Sequence, residues 1–429
     1  MLIQKGYRFR LRKFRGNQEQ TLAQWMGCAR KVYNQALEWE KKYYKFTGLY
    51  PGRTLMCKWL DSFKEQFPYL EDVNAQALQQ VVGDLDYAFY RKFRGLGELP
   101  VFKKKYEHDA VRIPQNFEVD IENGRVYIPK LAASCRGMKQ CPKSDRLGWL
   151  RFRKSRPIER KITSVTISRE AGEWYVSFQT SMEVPDPIHL NAGSEAGIDM
   201  GVVHAITLSD GTHLELPVET IKELERKVAH EQRTLSRRVK HSKGWTDTKR
   251  RIARLNHHIA NVRRDCLHKH STTIAKSHGF VSMEDLRVKN MTKSAKGTVE
   301  NPGKNVAAKS GLNRAILRMG WGAFRTMLEY KQAWLGGKLV LVPPQNTSRT
   351  CPACGHVSAE NRKTQACFHC VKCGHEANAD VVGAINVLKR GRTLSLRGEA
   401  ADARPKRSWS RSFSKKREPA EVPPSRDDA

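Results

Sequence analysis

The chain has 429 residues, and its 77 lysines and arginines against 44 aspartates and glutamates give it a formal net charge of +33. This length suits about two to four domains, and the charge favours nucleic acid as partner over an acidic membrane surface or a merely solubilising role. No apolar run approaches the roughly 20 residues of a membrane-spanning helix, and residues 1–16 lack the apolar core of a secretory signal, so we expect a cytoplasmic protein.

The N-terminal part is predicted to be a strand followed by a small helical domain. Residues 6–12 alternate apolar side chains with Arg8, Arg10 and Arg12, a pattern typical of a strand with one face on a core and one on phosphates. Apolar residues at helical spacing then predict helices over 17–45, 54–66 and 73–94.

Residues 100–183 are predicted to form an antiparallel β unit, which the first strand closes if the unit is a barrel. Turn dipeptides at 123–124 (Asn-Gly) and 171–172 (Ala-Gly) stand between alternating runs, as in β-hairpins. The polar stretch 131–148 carries Cys135 and Cys141; we interpret it as a surface loop in preference to a second metal site.

The middle of the chain is predicted to alternate strands with long helices. After a linker at 184–196, strands begin at GIDMG, and a helical hairpin broken at Gly244–Trp245 follows. The outer face of the hairpin is basic, and we favour nucleic-acid contact over a plain solvated face; the face includes Arg250, Arg251 and Arg254. Strands at 280–286 and 338–344 flank a helix at 312–337, and the composition from about Arg390 onward predicts disorder.

Five of the ten cysteines fall between residues 351 and 373, where CPACGH and CVKCGH each place a CxxC pair before Gly-His. Two such pairs predict a zinc ribbon, since a two-residue gap lets both sulfurs reach one ion. Four thiolates close the coordination sphere, so the zinc is expected to be structural. The predicted ligands are Cys351, Cys354, Cys370 and Cys373, with Cys367, His356 and His375 as spectators.

Three acids stand out by position. Asp199 lies in a strand, Glu284 at the end of another, and Asp380 at the start of the helix after the ribbon. Each alone is more typical of a cap or a surface group. If the strands are neighbours, the carboxylates converge on a pair of Mg²⁺ ions, as phosphodiester hydrolysis requires.

Four segments together resemble the TnpB family, the RNA-guided nucleases of small insertion sequences that are related to compact type V CRISPR effectors. They are PVFKKK, GIDMGVVHAITLSDG, SMEDLRVKNMTKSAKGTV and the TSRTCPACGH…CVKCGHEANAD array, and the resemblance spans roughly residues 5–390. It implies a multidomain α+β protein. The implied parts are a wedge-type β-barrel (1–16 and 96–184), an inserted helical recognition domain (17–95), a RuvC-like, ribonuclease-H type α/β nuclease domain (185–346 and 378–390) and a zinc ribbon with four cysteine ligands (347–377). The disordered tail that the composition predicts takes up residues 391–429.

The resemblance also implies an activity: guide RNA from the protein's own element, recognition of a short motif beside the target, and Mg²⁺-dependent cleavage of double-stranded DNA. The catalytic, magnesium-binding triad would be Asp199, Glu284 and Asp380, and Lys103, Lys104 and Lys105 would join the strand arginines on RNA or heteroduplex. Val382 departs from the Asn often found there in the family. A monomer is the favoured state. A nuclease-inactive RNA-guided repressor and a DNA strand-transfer protein are the alternatives; the intact triad favours the nuclease.

Overall fold

The computed structural model describes residues 1–105, 109–131, 146–364 and 366–398, with the side chains of 129–131 and 146 left out. The predicted loop around Cys135 and Cys141 and the tail beyond residue 398 lie outside these residues. The chain folds into two compact units: residues 1–187 with 217–265, and residues 188–216 with the chain from Cys266 onward. The boundary at residues 265–266 falls inside the predicted helical hairpin, where the domain bounds predicted from sequence have no boundary.

The first unit begins as the sequence predicts, with one strand and three helices: β1 (Leu2–Arg10), α1 (Gln18–Thr47), α2 (Gly52–Gln66) and α3 (Ala75–Phe93). The helices form because their apolar residues recur on one face, and Trp25, Leu60 and Leu78 are fully buried there. Asn74 accepts a hydrogen bond from the backbone N–H of Ala77 and so caps the start of α3.

Two antiparallel sheets also belong to this unit. Their strands are β2 (Asp109–Ile113), β3 (Glu118–Asp120), β4 (Arg125–Leu131), β5 (Arg146–Arg151), β6 (Lys161–Glu170) and β7 (Glu173–Glu183), in the orders β1-β7-β6-β2 and β3-β4-β5. The predicted turn at 171–172 is confirmed, since Ala171 and Gly172 both have positive φ. A bridge between Leu11 and Phe152 joins the sheets, and the rings of Phe9, Phe152 and Phe178 pack 5.2–5.9 Å apart in their common core.

The predicted helical hairpin exists, but its break is not at Gly244–Trp245. Helix α4 (Val218–Ser236) ends before residues 237–242, and α5 (Lys243–Ser277) already includes both Gly244 and Trp245. Ser242 explains the difference, because its Oγ accepts a hydrogen bond from the N–H of Trp245 and caps α5. A local cap therefore outweighed the low helix propensity of one glycine.

The second unit is built on a five-stranded sheet in the order β10-β9-β8-β11-β12. These strands are β8 (Glu195–Asp199), β9 (Ile206–Leu208), β10 (His213–Leu214), β11 (Phe280–Glu284) and β12 (Lys338–Val342). Strand β11 runs parallel to both β8 and β12, whereas β9 is antiparallel to β8. The short helix α6 (Val288–Met291) precedes α7 (Val306–Met319) and α8 (Trp321–Leu335), which replace the single helix predicted at 312–337 because Gly320 takes a left-handed conformation.

A small hairpin of β13 (Cys367–His369) and β14 (Glu376–Asn378) leads directly into α9 (Ala379–Leu396). The prediction of disorder from about Arg390 is wrong for residues 390–396, which continue α9. Leu394 explains this, because it packs against a buried cluster of Val340, Val342 and Val387. No helix among the described residues is both long and apolar enough to cross a membrane.

Candidate active site and metal centre

Two of the predicted acids lie at the ends of neighbouring parallel strands. Strands β8 and β11 pair with Ile198 opposite Met283, so the residues that follow, Asp199 and Glu284, reach the same edge of the sheet. Parallel strands bring their carboxyl ends to one edge, where open α/β sheets place ligands. The side chain of Glu284 is buried, and Asp199 lies at the half-buried end of its strand.

The third acid, Asp380, lies in the first turn of α9. Asn378 starts this helix, since its Oδ1 accepts hydrogen bonds from the N–H groups of Asp380 (2.9 Å) and Val381 (3.2 Å). The helix approaches the sheet very closely: a Cβ on Gly383 would lie 3.2 Å from Cγ of Asp199, and a Cβ on Gly197 only 2.0 Å from the carbonyl oxygen of Ala384. Glycine at these two positions therefore lets α9 bring Asp380 close to the strand that ends in Asp199.

The three carboxyl groups lie close enough to interact electrostatically. Burial raises the pKa of Asp199 to about 7, and the charges of Glu284 and Asp380 add to this rise while that of Arg362 opposes it. Burial also raises the pKa of Glu284, against the hydrogen bond from Thr347 and the charge of Arg390. Buried carboxyls that repel one another bind a proton or a cation to relieve their charge.

Three polar residues that the sequence did not single out hold these acids in place. Nη2 of Arg362 donates to Oδ1 of Asp380 at 3.1 Å, and Oγ1 of Thr347 donates to Oε1 of Glu284 at 2.5 Å. Asn386 in turn donates to the carbonyl of Thr347 at 2.8 Å. Asn386 carried a usable signal, since it is a polar residue among the apolar positions of a helix; Arg362 and Thr347 lie in loops with no local pattern.

The four predicted zinc ligands do meet. The Sγ atoms of Cys351 and Cys373 are 3.6 Å apart, as are those of Cys354 and Cys370, and all four lie within 4.8 Å of one another. Sulfurs around one tetrahedral ion at about 2.3 Å stand about 3.8 Å apart, so the set fits zinc.

Both halves of the four-cysteine site are built alike. In each half the first cysteine's N–H bonds the histidine carbonyl five residues on, and the intervening glycine has φ near +70° (Gly355 and Gly374). Cys367, His356 and His375 are outside the set.

Three or more metal-binding side chains come this close to one another only at these cysteines, among the residues that the structure describes. The three carboxylates share an edge of the sheet but stand further apart.

The predicted nucleic-acid contacts differ in environment. Several arginines already pair with acids: Arg8 with Glu170 (2.9 Å), Arg10 with Glu173, Arg250 with Asp247 (3.0 Å) and Arg251 with Glu231 (3.1 Å). Lys103 is half-buried, with Nζ 3.9 Å from the ring centre of Tyr33, and burial lowers its pKa. Arg12, Lys104, Lys105 and Arg254 are exposed. All nine remain predictions as nucleic-acid contacts.

Family models match three parts of the chain. The model described as a probable transposase, OrfB_IS605, matches residues 177–295, which include Asp199 and Glu284. The model of the Cas12f1-like TNB domain matches residues 321–387, which include the four cysteines and Asp380. A helix-turn-helix model matches residues 1–48, which here form β1 and α1.

Two curated relatives match over nearly the whole chain, and both are named as RNA-guided DNA endonucleases. InsQ of Escherichia coli (strain K12) is 42% identical over 92% of this chain and 94% of its own length. The protein of Streptomyces pristinaespiralis is 30% identical over 91% of this chain and 90% of its own length.

A more distant relative is a compact CRISPR effector. The endodeoxyribonuclease Cas12f1 of Sulfoacidibacillus thermotolerans is 24% identical over 68% of this chain and 71% of its own length. A solved Cas12f1–sgRNA–target DNA complex superposes with a TM-score of 0.50 at 14% identity, over 90% of this chain and 98% of that one. The fold is therefore of the mixed α+β kind found in these effectors. Because 42% of its aligned residues are identical to those of InsQ, the chain belongs to the TnpB family of insertion-sequence proteins.

Proposed function

We propose that the protein is an RNA-guided endonuclease that cuts double-stranded DNA, as its relatives are named. The observation that carries this proposal is the arrival of Asp199, Glu284 and Asp380 at one edge of the sheet, within range to shift a pKa. A magnesium-dependent nuclease needs such a set of hard oxygen ligands. The net charge of +33 supplies the attraction for a guide RNA and its paired target strand.

The proposed nuclease domain is RuvC-like, with β8, β11 and α9 as the elements that carry its acids. The carboxylates of Asp199, Glu284 and Asp380 would hold two Mg²⁺ ions, which when bound supply an activated water and stabilise the leaving oxygen. Burial raises the pKa of Asp199 and of Glu284 because it disfavours their negative charge. Bound cations would compensate that charge, so these buried carboxylates suit a magnesium site.

The protein's own residues would keep the acids ready for metal. Thr347 orients one oxygen of Glu284 and leaves the other free, and Asn386 holds Thr347 through its carbonyl. Arg362 neutralises part of the negative charge by pairing with Asp380.

The four-cysteine site would hold one structural zinc ion, because four thiolates leave no position open for water. The ribbon's last strand, β14, ends at Asn378, which caps the helix that carries Asp380. The zinc would therefore act on cleavage only through the placement of this acid. The N-terminal sheets and helices are the proposed wedge-type barrel and recognition domain, which would bind the guide RNA and read the short motif beside the target.

The proposal is tested with protein purified together with its co-expressed RNA, a matched DNA duplex and Mg²⁺. Asp199→Ala is expected to abolish cleavage and to leave RNA-dependent binding of the target intact. Asp210→Ala is the matched control, since Asp210 lies in an exposed turn where it accepts a hydrogen bond from Thr212. Cleavage that survives in Asp199→Ala would remove the triad assignment.

The same assay separates the alternatives. A nuclease-inactive repressor would bind the matched duplex without cutting it even as the wild-type protein. A strand-transfer protein would join cut ends to a second DNA. This alternative is retained because the matching family model is described as a probable transposase.

A further inference from the structure

A thiol and an imidazole outside the proposed nuclease site converge on one backbone oxygen. Sγ of Cys266 lies 3.1 Å from Nε2 of His270, one turn further along α5. The carbonyl oxygen of Glu215, just after β10, lies 2.8 Å from this Nε2 and 3.4 Å from this Sγ. All three residues belong to the second unit.

We propose that Cys266, His270 and the Glu215 carbonyl form a second metal site, for a divalent ion that prefers thiolate and imidazole, such as Zn²⁺. Residues four apart on a helix lie on one face, which lets two side chains bind one ion. The thiolate and imidazole select zinc over Mg²⁺, which takes oxygen ligands. A water molecule would complete the tetrahedron.

The spacing of the three atoms supports this assignment. Ligands of a tetrahedral zinc at about 2.0–2.3 Å stand roughly 3.3–3.8 Å apart. The three atoms stand 2.8–3.4 Å apart, so each pair needs to open by only a few tenths of an ångström. As the contacts stand, the N–H at Nε2 of His270 and the thiol of Cys266 both donate to the Glu215 carbonyl. Metal binding would release the thiol proton to solvent, and the neutral imidazole would lose its proton from Nε2 to solvent and take one up on Nδ1, which leaves Nε2 able to bind the ion.

Two donors hold the Glu215 carbonyl, which is more than a loop anchor requires, and the side chain of Glu215 has a contact of its own. Nδ1 of His204 contacts Oε1 of Glu215 at 2.5 Å, and the rings of His204 and His213 stack 4.3 Å apart. A single donor to the Glu215 carbonyl would suffice to fasten the loop to α5. Here an imidazole and a thiol both approach that carbonyl, and both residues are half-buried.

The position of the site gives it a structural role. The chain leaves the second unit after Leu216 and returns to it at Cys266, so Glu215 and Cys266 stand at the two ends of the 217–265 segment. A metal ion bound to both would clamp these ends together. This role is independent of the proposed nuclease activity.

The test counts zinc in the full-length protein purified with its RNA. After loading with excess ZnCl₂ and desalting, elemental analysis should find about two zinc ions per wild-type chain. Cys266→Ser and His270→Gln should each hold about one. Cys57→Ser is the control and should keep the wild-type content, since Cys57 is a half-buried thiol packed against the core of the first unit.

A cobalt spectrum provides the second measurement and does not depend on total metal content. In Co²⁺-loaded protein the thiolate-to-cobalt absorption should fall by about one-fifth in Cys266→Ser, because one thiolate of five is lost. His270→Gln keeps all five thiols and keeps the proposal testable if Cys266→Ser does not fold. Wild-type protein with one zinc ion, or both variants with as much zinc as wild type, would overturn it.

Discussion

Single buried polar residues decide how the proposed site is held. Thr347 is 3% exposed, and its hydroxyl group donates a hydrogen bond to Glu284. Asn386 is 7% exposed and donates to the carbonyls of Thr347 and Thr350. A buried polar group without a partner costs about 1–3 kcal/mol, so each of these residues has to be satisfied inside the protein. The result is a short chain of hydrogen bonds from α9 to Glu284.

We expect Thr347→Val to slow DNA cleavage by roughly 10- to 100-fold, because a hydrogen bond to a charged group contributes about 1.5–3 kcal/mol. Single-turnover cleavage at saturating Mg²⁺ measures this. Thr326→Val is the control, because Thr326 is an exposed residue of α8 that donates only to the carbonyl of Gly322 in its own helix. Equal rates for the two variants would show that Thr347 does not position Glu284.

Glu40 in α1 gives a pH-dependent stability. It is 3% exposed, its Oε2 has no hydrogen-bond partner among the described residues, and burial raises its pKa from 4.5 to about 7. The folded protein therefore keeps a proton that the unfolded chain has already lost. This group's contribution to stability is full below pH 4.5 and is lost as the pH rises through 7, by at most about 3 kcal/mol.

Glu40→Gln removes the buried charge, so it should raise the melting temperature at pH 8 and change it much less at pH 5. Glu38→Gln is the control on the same helix, because Glu38 is partly exposed and pairs with Lys42 at the surface. Thermal unfolding at the two pH values measures the difference. A variant that is no more stable than wild type at pH 8 would contradict the assignment.

Residues were predictable from sequence where a local pattern marked them. The four cysteines share one spacing, and Asp199 and Glu284 end apolar runs that read as strands. Arg362 and Thr347 lie in loops whose positions depend on contacts distant in the chain, with Asp380 and Glu284 respectively. No periodicity or spacing within these loops could have predicted such pairs.

At the scale of elements, the approach of α9 to the sheet depends on small residues. A Cβ on Gly197 would meet both the carbonyl of Ala384 and, at 2.8 Å, Cβ of Leu388. A Cβ on Gly391 would lie 1.9 Å from Oγ of Ser282. The backbone of α9 therefore lies directly against the backbone of β8 at Gly197 and against the side chain of Ser282 at Gly391.

Gly197→Ala should destabilise the second unit by about 3 kcal/mol or more, because the added methyl group meets backbone that cannot move aside. Gly311→Ala is the matched control, since a Cβ there meets nothing within 4 Å and alanine favours the helix α7 by about 1 kcal/mol. Chemical denaturation measures both variants. Equal stability would show that α9 has room to shift.

Element types followed from sequence more closely than element ends did. The helical spacing located α1 to α3 to within a few residues. The break of the hairpin was misplaced at Gly244, and the end of α9 at Arg390, because capping by Ser242 and packing of Leu394 decide those ends. Such interactions become visible only when the tertiary partner is known.

At the scale of the whole molecule, positive charge is abundant but unequally available. Arg8 and Arg10 on β1 pair with acids at the ends of β6 and β7, whereas Arg12, just beyond β1, is exposed. An arginine that already has a carboxylate partner contributes less binding free energy when it contacts a phosphate, because it has to give up that partner.

We therefore expect Arg12→Ala to lower the affinity for the guide RNA and to reduce the slope of log K against log salt by about one. Arg10→Ala should change the slope less, because Arg10 must give up Glu173 to bind a phosphate. RNA binding at several salt concentrations measures both slopes. A larger loss for Arg10 would mean that the ion pair on β1 opens when RNA binds.

The division into two units could not be predicted from local patterns. Strand β1 pairs with β7 from Leu2–Glu183 to Arg10–Tyr175, and the 217–265 segment folds with that unit and not with its chain neighbours. Contacts between residues so far apart in the chain leave no short-range trace in sequence.

The order of the acids along the chain has a consequence for biosynthesis. Asp380 follows the whole ribbon, so a polypeptide still emerging from the ribosome carries only two of the three carboxylates until its cysteines have been made. If Asp380 completes a catalytic triad, as proposed, a product that terminates before this residue would be inert toward DNA even if it had already captured a guide RNA. Activity toward DNA would then begin only after the ribbon and the start of α9 have been translated.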